Sequence, residues 1–284
     1  MLPSELRTEL EKHFGSFESR PLSGGSINEV LKISASSGNY CLKWNSASRY
    51  PRMFEKEAKG LEILRASCEV KVPTVDHWGE TGNTAYLLLE FINSAGSAPN
   101  FWRDFGQRLA GLHRHTHEFF GLDHDNYMGS LEQSNRQHTD WCSFFISERL
   151  EVQLRYGKNH GLLPSNVIRS VEKVYRRLPE IFPPGFPSLL HGDLWSGNYM
   201  NGPSGYVCLI DPAVYYGHRE IDIAMTRLFG GFDLEFYESY NDSWPLEKGW
   251  ESRVDIFNLY PLLVHANLFG ESYIGSIERI VKRF

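Results

Sequence analysis

Two carboxylates and one carboxamide stand at intervals that phosphate chemistry can use. Asn198 follows Asp193 by five positions, and Asp211 follows Asp193 by 18. The apolar pair Leu189-Leu190 leads into His191-Gly192-Asp193, and a second apolar run, 206–210, ends on Asp211. Phosphoryl transfer from ATP needs a carboxylate to orient the acceptor hydroxyl and oxygen ligands for magnesium. Protein kinases supply them with an Asp, an Asn five residues on, and a later Asp on the next strand. The bland alternative is a polar loop, because Gly, Asp, Ser and Asn are ordinary turn residues. The apolar runs on both sides and the matched intervals weigh against it. The spacing therefore predicts Asp193 as the catalytic base and Asn198 and Asp211 as the magnesium ligands.

An ATP-dependent enzyme also needs a nucleotide half, and its parts occur upstream in order. Gly24, Gly25 and Ser26 lie between two β-leaning segments, where glycine lets backbone N–H groups approach phosphate oxygens. Taken alone, such a turn joins strands in many proteins. Lys43 stands mid-strand among apolar residues, and a lysine is rarely buried unless it is paired. An outward-facing Lys on an edge is the alternative. Glu57, at the border of the apolar stripe of the next helix, is its expected partner, with Glu55 on a different face as runner-up. Glu90, Phe91 and Ile92 end a buried strand just before a small-residue linker, the place for backbone pairing with adenine. ATP and Mg2+ are the cofactors this set implies.

The elements that must position these residues can be read from periodicity. Residues 3–14 predict an amphipathic helix with Ser4 as N-cap, and a hairpin follows with its turn at Gly38-Asn39. A helix is expected over 52–65, strands over 75–78 and 84–92, and a turn over 79–83. The breaker-rich stretch 93–99 is the best domain boundary, giving a β-rich lobe of residues 1–92 and a helical lobe of 93–284. Further helices are expected over 101–119, 139–156, 164–178 and 221–229, with two more after residue 246 broken near Gly270. A tight turn is expected at Pro212-Ala213.

Composition excludes several classes. The chain has 284 residues, 41% hydrophobic and 23% charged, with net charge -6 and no long Lys/Arg cluster, so nucleic acid is not an expected partner. No apolar run approaches membrane-span length, and the first residues carry no apolar h-region, so a cytoplasmic protein with no membrane partner is expected. The four cysteines show no C-x-x-C spacing, which favours reduced thiols over zinc or disulfides. On a helix His113 and His117 share a face but His115 does not, so the H-x-H-x-H run reads as a polar helix end rather than a metal site. Trp195-Ser196-Gly197 lacks the setting of a nucleophile elbow.

The stretches 191–198 and 211–225, with 24–28, 54–61, 121–130 and 141–145, together resemble the fructosamine kinase (ketosamine-3-kinase) family. The resemblance spans essentially the whole chain. It implies an α+β, protein-kinase-like two-lobe fold, shared with aminoglycoside phosphotransferases and choline kinases. The implied reaction is ATP-dependent phosphorylation of the 3-hydroxyl of a ketosamine, whose unstable 3-phosphate then frees the amine. By motif position, Asp193 corresponds to the base, Asn198 and Asp211 to the magnesium ligands, Lys43 with Glu57 to the phosphate-anchoring pair, and Glu90 to Ile92 to the hinge. Many relatives carry a disulfide-forming Cys in the glycine-rich loop. Ser26 stands there, so a monomer or weak dimer is expected rather than a redox-linked one. Gly192 in place of Arg, and Asp-Pro-Ala in place of Asp-Phe-Gly, favour a small-molecule acceptor over a protein kinase substrate. His218, Arg219, Trp141 and Asn126 are the expected sugar or amine contacts. The competing readings are another small-molecule kinase of this fold, acting on an aminoglycoside or choline, and a non-catalytic pseudokinase.

Overall fold

The computed structural model describes residues 2–22 and 27–284. Helix α1 (Ser4–Phe14) is followed by β1 (Phe17–Pro21), β2 (Glu29–Ala35), β3 (Gly38–Ser46), α2 (Met53–Ala66), β4 (Val75–Thr81) and β5 (Thr84–Glu90). Next come α3 (Phe101–His113), β6 (Asn126–Met128), β7 (Leu131–Gln133), α4 (Trp141–Phe144), α5 (Glu151–Asn159), α6 (Ser165–Val174) and α7 (Leu178–Ile181). The remainder is β8 (Ser188–Leu190), β9 (Tyr199–Asn201), β10 (Val207–Leu209), β11 (Tyr215–Gly217), α8 (Glu220–Leu228), α9 (Leu234–Ser243), α10 (Trp250–Phe257), α11 (Leu259–Phe269) and α12 (Ile274–Val281). Among the described residues no helix is long and apolar enough to cross a membrane, and the four cysteines are free thiols.

The chain forms two compact units, Met1–Pro99 with Met200–Asp211, and Asn100–Tyr199 with Pro212–Phe284. The first therefore extends past residue 92 through the linker and takes in a hairpin from far along the sequence. Its five-stranded antiparallel sheet has the order β1-β2-β3-β5-β4. Side chains alternate across a strand, and this divides the sheet's residues between two coverings. Leu31, Ile33, Leu42, Trp44, Tyr86 and Leu88 form one cluster with Leu6 and Leu10 of α1. Lys43 and Leu87, one position off, turn to the opposite face, where α2 packs against β4 and β5. A strand covered on both faces reads as a continuous apolar run, which explains why Ala85 to Leu89 are all buried.

The second unit is mainly helical. In it α3 and α9 approach closely because Gly106 leaves room: a Cβ there would meet the backbone of Phe236 and Tyr240. Phe101, Trp102, Phe105, Phe232 and Phe236 fill the space around that contact.

Several sequence expectations shift. Pro3, not Ser4, occupies the α1 N-cap, and Ser4 is already helical, its carbonyl accepting from the Thr8 hydroxyl. The first hairpin turns at Ser36-Ser37, with Gly38 already in β3, and the second at Gly82-Asn83, with Gly79 still in β4. Helix α3 stops at His113. His115 and His117 continue in extended chain beside β8, with the Leu189 N–H donating to His115 O and the His117 N–H to Pro187 O. The expected 139–156 helix begins at Asp140, whose carboxylate caps the Ser143 N–H, and passes through a π-helical turn, Phe145–Leu150, between α4 and α5. The bend expected at Pro212-Ala213 lies at Asp211, whose φ is +53°. Helix α9 and the β6–β7 hairpin have no counterpart among the expectations.

Candidate active site

Lys43 reaches α2 because its strand position faces it. Its Nζ donates to Glu57 Oε1 at 2.6 Å and to Asp211 Oδ1 at 2.6 Å. The Lys43 side chain is 7% exposed and Glu57 12%, whereas Asp211 keeps 45%. Burial alone would pull the lysine pKa down; Asp211 and Glu57 overcome it and raise it above its ordinary value. Lys43 is thus a permanent cation at neutral pH. The left-handed backbone at Asp211, a conformation that Asp tolerates better than most residues, accompanies the bend that brings its carboxylate onto Lys43. Glu55, the runner-up, instead pairs with Arg52 and Lys59, which hold its carboxyl down at about 2. Gly24, Gly25 and Ser26 lie outside the described residues.

The Glu90 side chain accepts from Lys71 Nζ, the Thr74 N–H and the Thr74 hydroxyl, which ties the end of β5 to the segment before β4. The Glu90 N–H donates to Thr74 O, and the Phe91 N–H to Asn39 O at 3.4 Å. Both amides are engaged within the unit. Lys32 lies over the Phe91 ring at 4.4 Å, and Ile92 is buried.

In the second unit the residues around Asp193 are built on β8. Strand β11 pairs antiparallel with it, Tyr215 opposite Leu190, and the Ala213 N–H extends the ladder to His191 O at 2.9 Å. Beyond that point the chain turns at Gly192 (φ +83°), where a Cβ would collide with the Ala213 carbonyl. The buried Asp222 of α8 accepts from the His191 N–H at 2.8 Å and the Gly192 N–H at 3.0 Å. His113 Nε2 is 3.3 Å from the same carboxylate, and its Nδ1 is 2.8 Å from the Tyr240 hydroxyl. Asp222 is therefore a brace for the loop. Asn198, also buried, donates through Nδ2 to both Asp193 O and Asp193 Oδ2 at 2.9 Å. The two residues at the predicted five-residue interval are thus joined directly.

The four expected sugar contacts are placed elsewhere. His218 is buried among Trp141, Phe182 and Phe257. Burial, with the Arg219 and Arg253 charges, pushes its pKa down to about 3. Trp141 is stacked on Phe145 in the same cluster. Arg219 bonds the carbonyls of Trp244 and Pro245 and lies 4.0 Å over the Trp244 ring. Asn126 is buried and donates to Val214 O. All four side chains pack or bond within the second unit, and Trp141 Nε1 is buried without a hydrogen-bond partner. A row of ring contacts that the sequence did not display starts in the loop that carries Asp193 and Asn198. Trp195 packs edge-on to Phe229, Phe229 on His265, and His265 on Phe269 and Tyr273. The exposure of Trp195, Phe229 and Phe269 was not legible, because an aromatic in a sequence looks the same whether it packs a core or lines a surface.

The family model for fructosamine kinase matches residues 2–284. The chain belongs to the fructosamine kinase family. It is 40% identical over 269 residues to a probable ketoamine kinase of Enterococcus faecium, covering 93% of this chain and 94% of that one. Identity to the chloroplastic protein-ribulosamine 3-kinase of Arabidopsis thaliana is 36% over 273 residues, 91% of this chain and 79% of the other. A solved structure of a candidate fructosamine-3-kinase from Haemophilus somnus superposes with a TM-score of 0.87 at 30% identity, covering 98% of this chain and 96% of that one. The kinase-like fold expected from the sequence is therefore the fold of this family.

The donor set suits a magnesium-bound nucleotide. The Glu57–Lys43–Asp211 cluster holds one cation against two carboxylates, so one negative charge is left over to meet a second cation, and Asp211 is the exposed member. Among the described residues no group of three or more His, Cys, Asp or Glu side chains could hold a metal. Magnesium commonly uses one or two carboxylates and completes its shell with phosphate and water.

Proposed function

We propose that the protein is an ATP- and magnesium-dependent kinase that phosphorylates the 3-hydroxyl of ketosamines, a repair activity that reverses early glycation. The observation that carries the kinase reading is the buried Lys43, held between Glu57 and the half-exposed Asp211. A permanent cation fixed in this way can meet nucleotide phosphates without reorganising, and preorganised charge is the main contribution in phosphoryl transfer. The acceptor class is supported by family membership and by relatives named ketoamine kinase and protein-ribulosamine 3-kinase.

In this reading Asp193 orients the sugar hydroxyl and takes its proton, while Asn198 fixes the Asp193 carboxylate. Asp211 and Asn198 are the residues that would hold magnesium; when bound, the ion neutralises charge on the β- and γ-phosphates. Gly24, Gly25 and Ser26, outside the described residues, are assigned to phosphate on their sequence alone, and the chain from Ile92 onward is assigned to adenine. The Trp195–Phe229 rings offer a face for the CH groups of the acceptor.

The test is ATP consumption with ribulosyl-, erythrulosyl- and fructosyl-amines, with choline and kanamycin alongside. Turnover with at least one ketosamine and release of free amine is the expected result. Turnover confined to choline or kanamycin would replace the acceptor class, and no magnesium-dependent turnover with any of them would leave a non-catalytic nucleotide-binding protein.

A further inference from the structure

A buried polar network lies behind the segment that follows Asp211, and the reaction scheme leaves it without a task. The Asn126 side chain donates to Val214 O at 2.7 Å, and Gln133 donates to Ala213 O at 3.1 Å and to Asn126 Oδ1 at 2.8 Å. Asn135 donates to the same Asn126 oxygen at 3.0 Å. Two donors feed this amide cluster from its ends: Arg149 Nη2 to Asn135 Oδ1 at 2.8 Å, and the Tyr260 hydroxyl to Gln133 Oε1 at 2.7 Å. All five side chains are almost wholly buried.

The direction of the network is fixed by chemistry. A guanidinium can only donate, so Arg149 draws the Asn135 oxygen toward itself and turns the Asn135 NH2 toward Asn126. Burial raises the Tyr260 pKa above its ordinary value, so this hydroxyl stays a donor. It draws the Gln133 oxygen and turns the Gln133 NH2 toward Ala213. Every amide then aims an N–H at the next acceptor, and the chain ends on two consecutive backbone carbonyls. Arg149 projects from the π-helical turn, and its guanidinium lies 3.9 Å from the Tyr215 ring and 4.5 Å from Phe144. A π-helical turn inside a helix re-aims side chains and frequently marks a functional position.

The clamped segment is what the catalytic loop leans on. Tyr216 pairs with Gly121 on one edge and with Leu189 of β8 on the other. At Ala213 and Val214 the amide side chains stand where a further strand would bond. The Ala213 N–H then holds His191 O, two residues before Asp193. Apolar residues would fill the same volume without the desolvation cost of five polar side chains. Arg149 Nε is a buried donor without a partner, but every amide oxygen in the network accepts a bond, which favours one arrangement.

We propose that Asn126, Gln133, Asn135, Arg149 and Tyr260 form a permanent latch that locks Ala213-Val214, and through Ala213 the Asp193 loop, in working register. They are positioning residues. The latch does by fixed hydrogen bonds what a switchable segment does in enzymes turned on by modification, so activity is constitutive. This inference rests on the kinase reading above for its effect on turnover but not for its effect on the backbone.

The experiment compares full-length wild type, Gln133→Leu and Tyr260→Phe by steady-state kinetics and by amide hydrogen exchange at Ala213. Losing a hydrogen bond and leaving its buried partner unsatisfied should lower kcat about tenfold in Gln133→Leu. The KM for magnesium-ATP should stay within about twofold, because neither substitution removes the Lys43 bonds to Glu57 and Asp211. Ala213 exchange should accelerate while amides of β2 to β5 exchange as in wild type, the pattern of a local opening. Wild-type protection at Ala213 in both variants would overturn the latch. So would a kcat loss matched by a rise in KM and by faster exchange throughout the chain. Should Gln133→Leu not fold, Tyr260→Phe carries the same comparison with a smaller effect. A wild-type enzyme inactive on every ketosamine would remove the kinase reading, while the exchange comparison would still decide the latch.

Discussion

Lys43 and Asp193 show how differently two residues proposed for one reaction can be held. Lys43 is locked by geometry, and removing its charge strands two carboxylates. Lys43→Ala should therefore lose both turnover and about 3 kcal/mol of stability, the scale for breaking a buried pair, measured by urea unfolding at pH 7. An unchanged midpoint would mean that Glu57 and Asp211 do not depend on it. Asp193 is half-buried on a loop, so Asp193→Asn should fold normally and lose about 10²–10⁴ in kcat, the range for a positioned general base. Near-wild-type turnover would remove it from that role. His218 allows a prediction about pH. Its pKa falls from near 6.5 in the unfolded chain to about 3 in the aromatic core. Between those values the unfolded state binds the extra proton, so stability from this group is present above pH 6.5 and is lost as pH falls toward 3. His218→Gln, which cannot take a proton, should narrow the difference in urea midpoint between pH 7 and pH 5. An equal difference in wild type and variant would count against a neutral buried His218.

Elements differ in how much of themselves the sequence displays. Helix α2 was legible from the period of its apolar face, and strand β5 from a continuous apolar run, Ala85 to Leu89, that follows the turn at Gly82-Asn83. The β6–β7 hairpin was not, because its strands have three residues each, too few for alternation to register. Helix α3 was extended to residue 119 because the His and Phe residues after His113 keep the look of a helix; pairing with the chain beside β8 takes that segment instead. The Asp193–Asn198 interval was legible because the two side chains meet on one tight loop. The placement of His218 and Trp141 was not, since both have the residue types of a sugar site whether exposed or, as here, packed in an aromatic cluster. Gly192 shows what an element asks of a single position: positive φ and no room for Cβ. Gly192→Ala should cost about 1–3 kcal/mol, the scale of forced backbone strain, and should displace the loop and lower kcat. Thermal unfolding and turnover measured together test this, and a variant with wild-type values in both would show that the turn relaxes freely.

At the scale of the molecule, the chain does not divide at one point. The first unit needs residues 200–211, which arrive after a hundred residues of the second. That return is held by the Leu209 N–H on Lys71 O, the Ala98 N–H on Gly205 O and the Asn201 side chain on Ala95 O. It buries Val207, Cys208 and Leu209 almost completely and delivers Asp211 to Lys43. A fragment made of residues 1–99 would keep the five-stranded sheet but expose the apolar surface this hairpin covers, and would leave Lys43 with Glu57 alone. We expect it to unfold with weak cooperativity and to gain little stability from magnesium-ATP, where a ligand at about a hundred times its Kd would raise the stability of the whole chain by about 2.7 kcal/mol. Joining residues 200–211 to the fragment through a flexible linker should restore cooperative unfolding and part of the nucleotide response. The comparison is a denaturant melt of the three proteins with and without magnesium-ATP. If the bare fragment gained as much as the full chain, Asp211 and its hairpin would not be part of the nucleotide site. The position of Asp211 after a long detour through the chain would then have no bearing on phosphoryl transfer.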